Sequence, residues 1–152
     1  MSACNNEDDV LAIFTGKTWR VTYNPQMMEQ TIFNGNTETI TNTLNILNQG
    51  SNFTISFDGS EIDGAVGGTF TATGTNVTFT GEWSADGKSR EMTLAIRTPQ
   101  NYATIRDNNV LGNELLDCLR NITHYEGDSN NLYLYYVGGD IEFMPFHPDK
   151  SE

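Results

Sequence analysis

The residues of this chain that are suited to chemistry are few and widely spaced. Cys118 lies within a helix-like pattern of leucines, and His124 is its nearest base in the sequence. A nucleophilic cysteine needs a base beside it, and no oxyanion-hole motif accompanies this pair. Because a free cysteine among leucines packs as a small hydrophobic residue, we expect Cys118 to be buried and inert.

No metal-binding pattern is complete. His124 and His147 are far apart and form neither a His-x-x-x-His nor a Cys-x-x-Cys arrangement, which argues against zinc. Polar residues crowd one stretch, but the EF-hand pattern would require glutamate where Thr69 stands. We therefore expect no metal and no cofactor, and we interpret the crowded stretch as a solvated turn at Asp58-Gly59; its polar members are Asp58, Ser60, Glu61 and Asp63.

Three carboxylates offer an imaginable glycosidase pair. Such enzymes place two carboxylates about 5–10 Å apart across a sugar bond, and Glu82, Asp86 and Glu91 are close in sequence. With 20 Asp and Glu residues in 152 positions, accidental pairs are expected. A glycan hydrolase is therefore kept only as an alternative, and we expect no enzymatic activity.

The N-terminus carries a motif for covalent attachment. Ser2-Ala3-Cys4 followed by the acidic stretch Asn5–Asp9 resembles the end of a bacterial lipoprotein signal. The apolar stretch that precedes the cysteine in such signals is not in the sequence, so we expect Met1 to stand where a signal has been cut. Residues 1–9 are then a tether with lipid on Cys4, and we expect an outer-membrane lipoprotein of the bacterial cell envelope. The acidic stretch also resembles the export signal of surface-exposed Bacteroidetes lipoproteins.

Composition limits the classes of partner. A chain of 152 residues forms one domain with a substantial core. Its net charge of −12 opposes phosphate backbones, so we expect no nucleic-acid partner. No run of eighteen apolar residues occurs, and membrane attachment is expected only through lipid on Cys4.

The hydrophobic pattern predicts a single β-rich domain over residues 10–147. A short helical turn around Val10–Phe14, capped by Asp8 or Asp9, precedes alternating segments typical of strands. These segments are 17–23, 53–57, 70–72, 77–83 and 92–96, and two closing strands at 132–137 and 140–146 are joined by Gly138-Gly139. The spacing of leucines predicts a helix over 110–122. We expect a mostly β (α+β) fold, a small antiparallel barrel or strongly curled sheet, with that helix packed against it.

Residues 25–50 differ in character from the strands around them. Their apolar spacing predicts an insertion with one short amphipathic helix. A methionine-bearing apolar loop can repack around different partners. We interpret this insertion as core cover or as an interaction surface, formed by Met27, Met28, Ile32 and Phe33.

Two stretches are similar to the META domain of bacterial lipoproteins. The first, Phe57–Phe70, is similar to that family's strand, turn, glycine-rich crossing and next strand. The second, Glu114–Tyr125 with the strand segments that follow it, is similar to its helix and closing strands. The family's usual cysteine at the crossing is absent, because Gly67-Gly68-Thr69 stands there. The resemblance implies a β-rich envelope protein without a defined reaction.

Gly16-Lys17-Thr18-Trp19 on the first strand resembles the Gly-x-Trp motif of lipocalin-like barrels, with one extra residue. Two strands are expected after the helix, which departs from strict lipocalin topology. Two functions follow: a lipid-anchored envelope protein that binds a protein or envelope component, or a carrier of a small apolar ligand inside the barrel. The residues that would line the ligand or the core are Trp19, Phe53, Phe70, Phe79 and Trp83.

Overall fold

The described part of the computed structural model forms one eight-stranded antiparallel sheet, which confirms the expected mostly β fold. It comprises residues 9–22, 45, 52–62, 65–98, 100, 104–107, 110–137 and 139–146. The strand order is β5-β4-β3-β2-β1-β8-β7-β6. The elements are α1 (Val10–Phe14), β1 (Thr18–Val21), β2 (Thr54–Ile62), β3 (Ala65–Thr73), β4 (Thr78–Ala85), β5 (Met92–Thr98), α2 (Val110–Asn121), β6 (Ile122–Gly127), β7 (Leu132–Tyr136) and β8 (Gly139–Phe146).

The sheet curls into a nearly closed barrel, which confirms the predicted architecture. Strand β1 lies between β2 and β8, so the first strand of the chain pairs with the last. The two edge strands, β5 and β6, meet at a seam. There Tyr125 N donates to Arg90 O over 3.0 Å, and Glu91 forms a single antiparallel bridge with His124. Edges that meet in this way expose less unpaired backbone to other chains.

Helix α1 places an aromatic plug inside the barrel. Asp9 caps it, since its Oδ1 accepts from Ala12 N over 3.2 Å, as predicted for Asp8 or Asp9. Thr15 N bonds back to Leu11 O over 3.0 Å, and Gly16 at φ +81° redirects the chain. Phe14 is thereby driven fully into the core.

Helix α2 packs on the barrel as expected. It contacts β5, β7 and β8, and its apolar residues from Leu111 to Leu119 are fully buried. The helix ends at Asn121, whose Nδ2 donates to Asp117 O over 2.9 Å, so Ile122 begins a strand instead of ending the helix. The buried residues of the helix are Leu111, Leu115, Leu116, Cys118 and Leu119.

The predicted turn at Asp58-Gly59 is wrong. Strand β2 continues through both residues to Ile62, in unbroken register with β3. Gly59 serves close packing, because a Cβ there would lie 2.6 Å from Gly67 O and 3.0 Å from Trp83 Cζ2. Since strand neighbours alternate in direction, Asp58 and Glu61 point to opposite faces of β2, which is unlike a calcium loop.

Three strands follow α2, not the two that were predicted. The additional strand, β6, pairs antiparallel with β7, with an irregularity between Ile122 and His124. Its turn to β7 is held by Asp128, whose Oδ1 accepts from Asn130 N and Asn131 N at 2.8 and 3.0 Å. The predicted pairing of the last two strands as a hairpin is confirmed, but Gly139 lies in β8 opposite Tyr136 and not in the connection.

Other predictions lie outside the described residues. They concern Cys4 and its tether, His147, Asp63, and the interaction surface of Met27, Met28, Ile32 and Phe33. Within the insertion at 25–50, the structure describes Asn45 alone, and that residue is helical.

A buried carboxylate fastens the β3–β4 turn to the start of α2. Asp107 is 6% exposed, and its carboxylate accepts from Thr75 N (2.9 Å), Thr75 Oγ1 (2.7 Å) and Asn76 N (3.1 Å). The backbone N of Asp107 donates to Asn113 Oδ1 over 2.6 Å. Gly112 lies so close that a Cβ would be 2.0 Å from Asp107 Oδ2. The turn and the helix are thus held together by one side chain.

Replacing Asp107 with alanine is expected to lower the free energy of unfolding by about 2–3 kcal/mol, because buried donors lose their acceptor. Chemical denaturation monitored by circular dichroism measures this loss. Asp128→Ala is the matched control, since it removes a similar turn-capping carboxylate at an exposed site and is expected to cost clearly less stability. Equal losses in the two variants would contradict the special role of Asp107.

Candidate binding face

The five residues predicted to line a ligand or the core lie in the core. Each is at most 3% exposed. A side chain that faced a hollow wide enough for a ligand would expose surface to it, so these side chains are packed against protein atoms. They are Trp19, Phe53, Phe70, Phe79 and Trp83.

Both indoles satisfy their polar atom within this core. Trp19 Nε1 donates to Phe14 O over 3.2 Å, and Trp83 Nε1 donates to Asp58 O over 3.0 Å. Buried tryptophans ordinarily find such partners. Their rings are therefore held by α1 and β2, as core residues are.

The thiol of Cys118 is separated from the histidine considered as its base. It is fully buried, and burial raises its pKa well above the ordinary value, with Glu114 adding to the effect. Its Sγ lies 4.0 Å from Leu134 O. His124 instead stacks on Tyr135, whose side chain points to the other face of β7. The pair does not form a nucleophile and base.

Two of the three acids considered for glycan hydrolysis have separate carboxylate partners, and the third, Glu91, is placed at the seam by its backbone. Glu82 pairs with Arg97 across 2.8 Å at an exposed site. Asp86 holds a turn, since its Oδ1 accepts from Lys88 N (2.8 Å) and Ser89 N (3.2 Å), and these bonds lower its pKa. Glu91 forms the seam bridge to His124.

Metal sites and membrane-spanning helices can be assessed in the described part of the chain. No cluster of three or more His, Cys, Asp or Glu residues there is arranged to hold a metal ion. No described helix has the length and apolar character that a membrane crossing requires.

The outer surface of the last three strands gathers aromatic rings and carboxylates. Strand β7 alternates: Leu132 and Leu134 are buried, whereas Tyr133 and Tyr135, each of which follows a leucine, are partly exposed. Residues directly opposite in neighbouring strands point to the same side of a sheet. The register therefore defines a set that we name the tyrosine face, consisting of His124, Glu126, Tyr133, Tyr135, Asp140 and Glu142.

The tyrosine face has two rows, each with a tyrosine in the middle. In the first row, Tyr133 stands between Glu126 and Glu142. In the second row, Tyr135 stands between His124 and Asp140. Rows two residues apart along a strand are about 7 Å apart. The face is thus a small, regular array of rings flanked by acids.

Hydrogen bonds orient the first row. Glu142 Oε2 accepts from Tyr133 Oη over 3.2 Å and from Asn131 Nδ2 over 3.1 Å. In the second row, the rings of His124 and Tyr135 stack at 4.5 Å with an angle of 3° between planes. Thr123 Oγ1 lies 3.1 Å from His124 Nδ1 and fixes that ring. Side chains held in this way are preorganised for binding.

Negative charge accumulates on the face. The carboxylate of Glu142 raises the pKa of Tyr133, with burial adding to the effect. Burial raises the pKa of Asp140, and Glu142 raises it further. Burial also raises the pKa of Tyr135, followed by repulsion from Glu126 and Asp140. Each of these groups is therefore harder to ionise than it would be alone.

Sequence reasoning missed this face because β6 was missed. Without β6, the tyrosines of 132–137 had a predicted neighbouring strand on one side only, at 140–146. Two signals were available: the hydroxyl of tyrosine suits a half-exposed position, and the polar stretch 127–131 is typical of a hairpin turn.

Comparisons with known proteins agree with this fold. A family model described as "Domain of unknown function (DUF4847)" matches residues 5–148. A solved crystal structure of a DUF4847 family protein from Bacteroides vulgatus is 28% identical to this chain. The match covers 89% of this chain and 96% of that chain, with a TM-score of 0.59. A comparison with curated proteins finds no match.

Replacing Asp140 with asparagine is expected to raise the free energy of unfolding at pH 7, by less than about 1 kcal/mol because the site is partly exposed. The pKa of Asp140 is higher in the folded state, so its ionisation destabilises the fold as pH rises through that pKa. Below pH about 4 the carboxyl is largely protonated in both states, and the gain should vanish. Thermal melts of both proteins at pH 3.5 and 7 measure the difference. A loss of stability at pH 7 would contradict the repulsion described here.

Proposed function

We propose that this chain, which belongs to the DUF4847 family, is a non-enzymatic, lipid-anchored protein of the bacterial cell envelope that binds a protein or envelope component through its tyrosine face. The observation that carries the binding role is the ordered array of rings and carboxylates on the outside of β6, β7 and β8. Exposed aromatic side chains are frequent anchors of protein interfaces.

The packed core supports a binding role on the outside. The side chains that a carrier would need for its ligand contact protein atoms instead. Opening that core would separate stacked and edge-to-face rings, whose contacts are worth about 0.5–1.5 kcal/mol each beyond their buried area. Binding at the tyrosine face requires no such rearrangement.

Three observations support the envelope location. Cys4 follows Ser2-Ala3 and precedes an acidic stretch, as in lipoprotein signals. The resemblance of Phe57–Phe70 and Glu114–Tyr125 to META-domain lipoproteins implies the same compartment. The solved relative comes from a bacterium, Bacteroides vulgatus. A lipid at Cys4 would tether the barrel to a membrane without a spanning segment.

The insertion supplies a second candidate surface. Its residues Met27, Met28, Ile32 and Phe33 stay predicted as core cover or as a partner-contacting surface. The tyrosine face does not depend on them, because each of its members lies on β6, β7 or β8.

Lipid attachment is tested in the organism that makes the protein, expressed from its own gene. We expect an alkyne fatty acid added to the culture to label the protein, and Cys4→Ser to abolish the label and release the protein from the membrane fraction. Cys118→Ala is the control, since its thiol is buried and should not affect labelling. An unlabelled wild-type protein would exclude the anchor.

The binding role of the tyrosine face is tested by site-specific photo-crosslinking in the same cells. A benzophenone amino acid at Tyr135 is expected to crosslink a discrete envelope component, because that ring lies at the centre of the second row. The same amino acid at Thr71, an exposed position on β3, serves as the control. No product at Tyr135, or the same product at both positions, would contradict this role.

A further inference from the structure

The tyrosine face carries no lysine or arginine of its own. Residues 121–149 contain no lysine or arginine, although they contribute every member of the face. The described ion pairs of Lys or Arg with Asp or Glu lie elsewhere, between Arg97 and Glu82 and between Arg120 and Asp117. The acids of β6 and β8 are therefore not neutralised by a described cation.

Of the cations on neighbouring elements, Lys17 is directed to other groups, and Arg20 is placed by the strand register. Lys17 donates to Ala12 O and Ser129 O and interacts with Asp128 at the β6–β7 turn. On β1, Arg20 lies opposite Met144 in the β1–β8 register. Thr22, not Arg20, lies beside Glu142, since Thr22 N donates to Glu142 O over 2.8 Å.

The charges that shift the pKa values of Tyr133 and Asp140 are all negative. The charges that shift the pKa of Tyr133 come from Glu142, Asp140 and Asp128, and the charge that shifts the pKa of Asp140 comes from Glu142. A bound cation would relieve this repulsion. Complementary charge is what steers and orients partners at protein interfaces.

The spacing of the rows matches an extended polypeptide. Tyr133 and Tyr135 are two residues apart on one strand, hence about 7 Å apart. Side chains at alternate positions of an extended peptide have the same repeat and point the same way. Each row offers a ring and at least one carboxylate, from Glu126 and Glu142 in the first and Asp140 in the second.

Arginine suits these rows better than lysine does. Its planar guanidinium stacks on an aromatic ring and donates two parallel hydrogen bonds to a carboxylate. A cation over a ring contributes about 0.5–1 kcal/mol at an exposed site. One ring and one acid in each row can therefore hold one guanidinium.

We infer that the tyrosine face binds an extended segment of a partner protein that carries arginines at alternate positions, one arginine for each row. This inference rests on the proposed binding role of the face and names the chemistry of its partner. A second contact between the partner and the barrel is not required.

Fluorescence anisotropy with short labelled peptides tests the inference on the folded protein. The probe contains Arg-Thr-Arg within a glycine and serine sequence. The comparison probes contain Lys-Thr-Lys, Glu-Thr-Glu, or two arginines on adjacent positions. We expect the Arg-Thr-Arg probe to bind most tightly, the adjacent-arginine probe about threefold to tenfold more weakly, and the glutamate probe not at all.

A charge-matched pair of double variants separates the face from the general negative charge of the chain. D140N/E142Q removes one Asp and one Glu from the face, and the amide oxygen of glutamine can still accept from Tyr133 and Asn131. D58N/E61Q removes the same two charges from exposed positions on β2. We expect about tenfold weaker binding for the face variant and less than twofold weaker binding for the β2 variant.

Thermal melts of both variants confirm folding before binding is compared. Equal weakening in the two variants would show a general attraction to an acidic protein and overturn the inference. Equal affinity for the adjacent-arginine probe would overturn the one-arginine-per-row arrangement. If the peptide fails to bind while Tyr135 still crosslinks an envelope component in cells, the binding role survives and the arginine chemistry is wrong. If the peptide binds and Tyr135 gives no crosslink, the arginine chemistry stands and the envelope partner does not.

Discussion

The contact of Phe14 with three other aromatic rings is the constraint on which the barrel depends. Its ring stacks on Trp83 at 5.1 Å and meets Phe57 and Tyr125 edge to face at 4.9 and 5.0 Å. These rings belong to α1, β4, β2 and β6, so one side chain joins both sides of the seam. Few backbone bonds cross there, Tyr125 N to Arg90 O being one. Ring packing thus holds the two sides of the seam together, as hydrogen bonds hold the other neighbouring strands together.

The same packing leaves the outer surface of the barrel as the place where polar and aromatic side chains can bind a partner. Once Phe14, Trp19 and Trp83 are in place, the interior near them is filled by protein side chains. Strand β7 follows this division, because Leu132 and Leu134 lie in the core while Tyr133 and Tyr135 point outward. A helix behind β7 completes the inner layer, with Cys118 Sγ against Leu134 O. Polar and aromatic groups are left to the outer surface.

The alternation of apolar residues was sufficient to predict the fold class, helix α2 and most strands. It failed where a residue's role was set by a distant neighbour. Gly59 follows an aspartate and matches a turn signal, yet it is glycine because the Trp83 ring and Gly67 O leave no room for a Cβ. Strand β6 was not predicted for a related reason, since its outer residues are polar and its inner face is short. The tyrosine face follows from strand pairing, which the sequence does not display.

The cost of the tyrosine face is an argument for its use. Burial and then repulsion from Glu142 raise the pKa of Asp140, and the charge of Glu142 raises the pKa of Tyr133, so ionising these groups costs free energy. At another exposed site of the barrel an acid does have a cation, since Glu82 pairs with Arg97. Departures from otherwise consistent local rules are expected at functional sites. Among the described residues, no lysine or arginine pairs with the carboxylates of this face, and a cationic partner explains such acids beside ordered rings better than the stability of the barrel does.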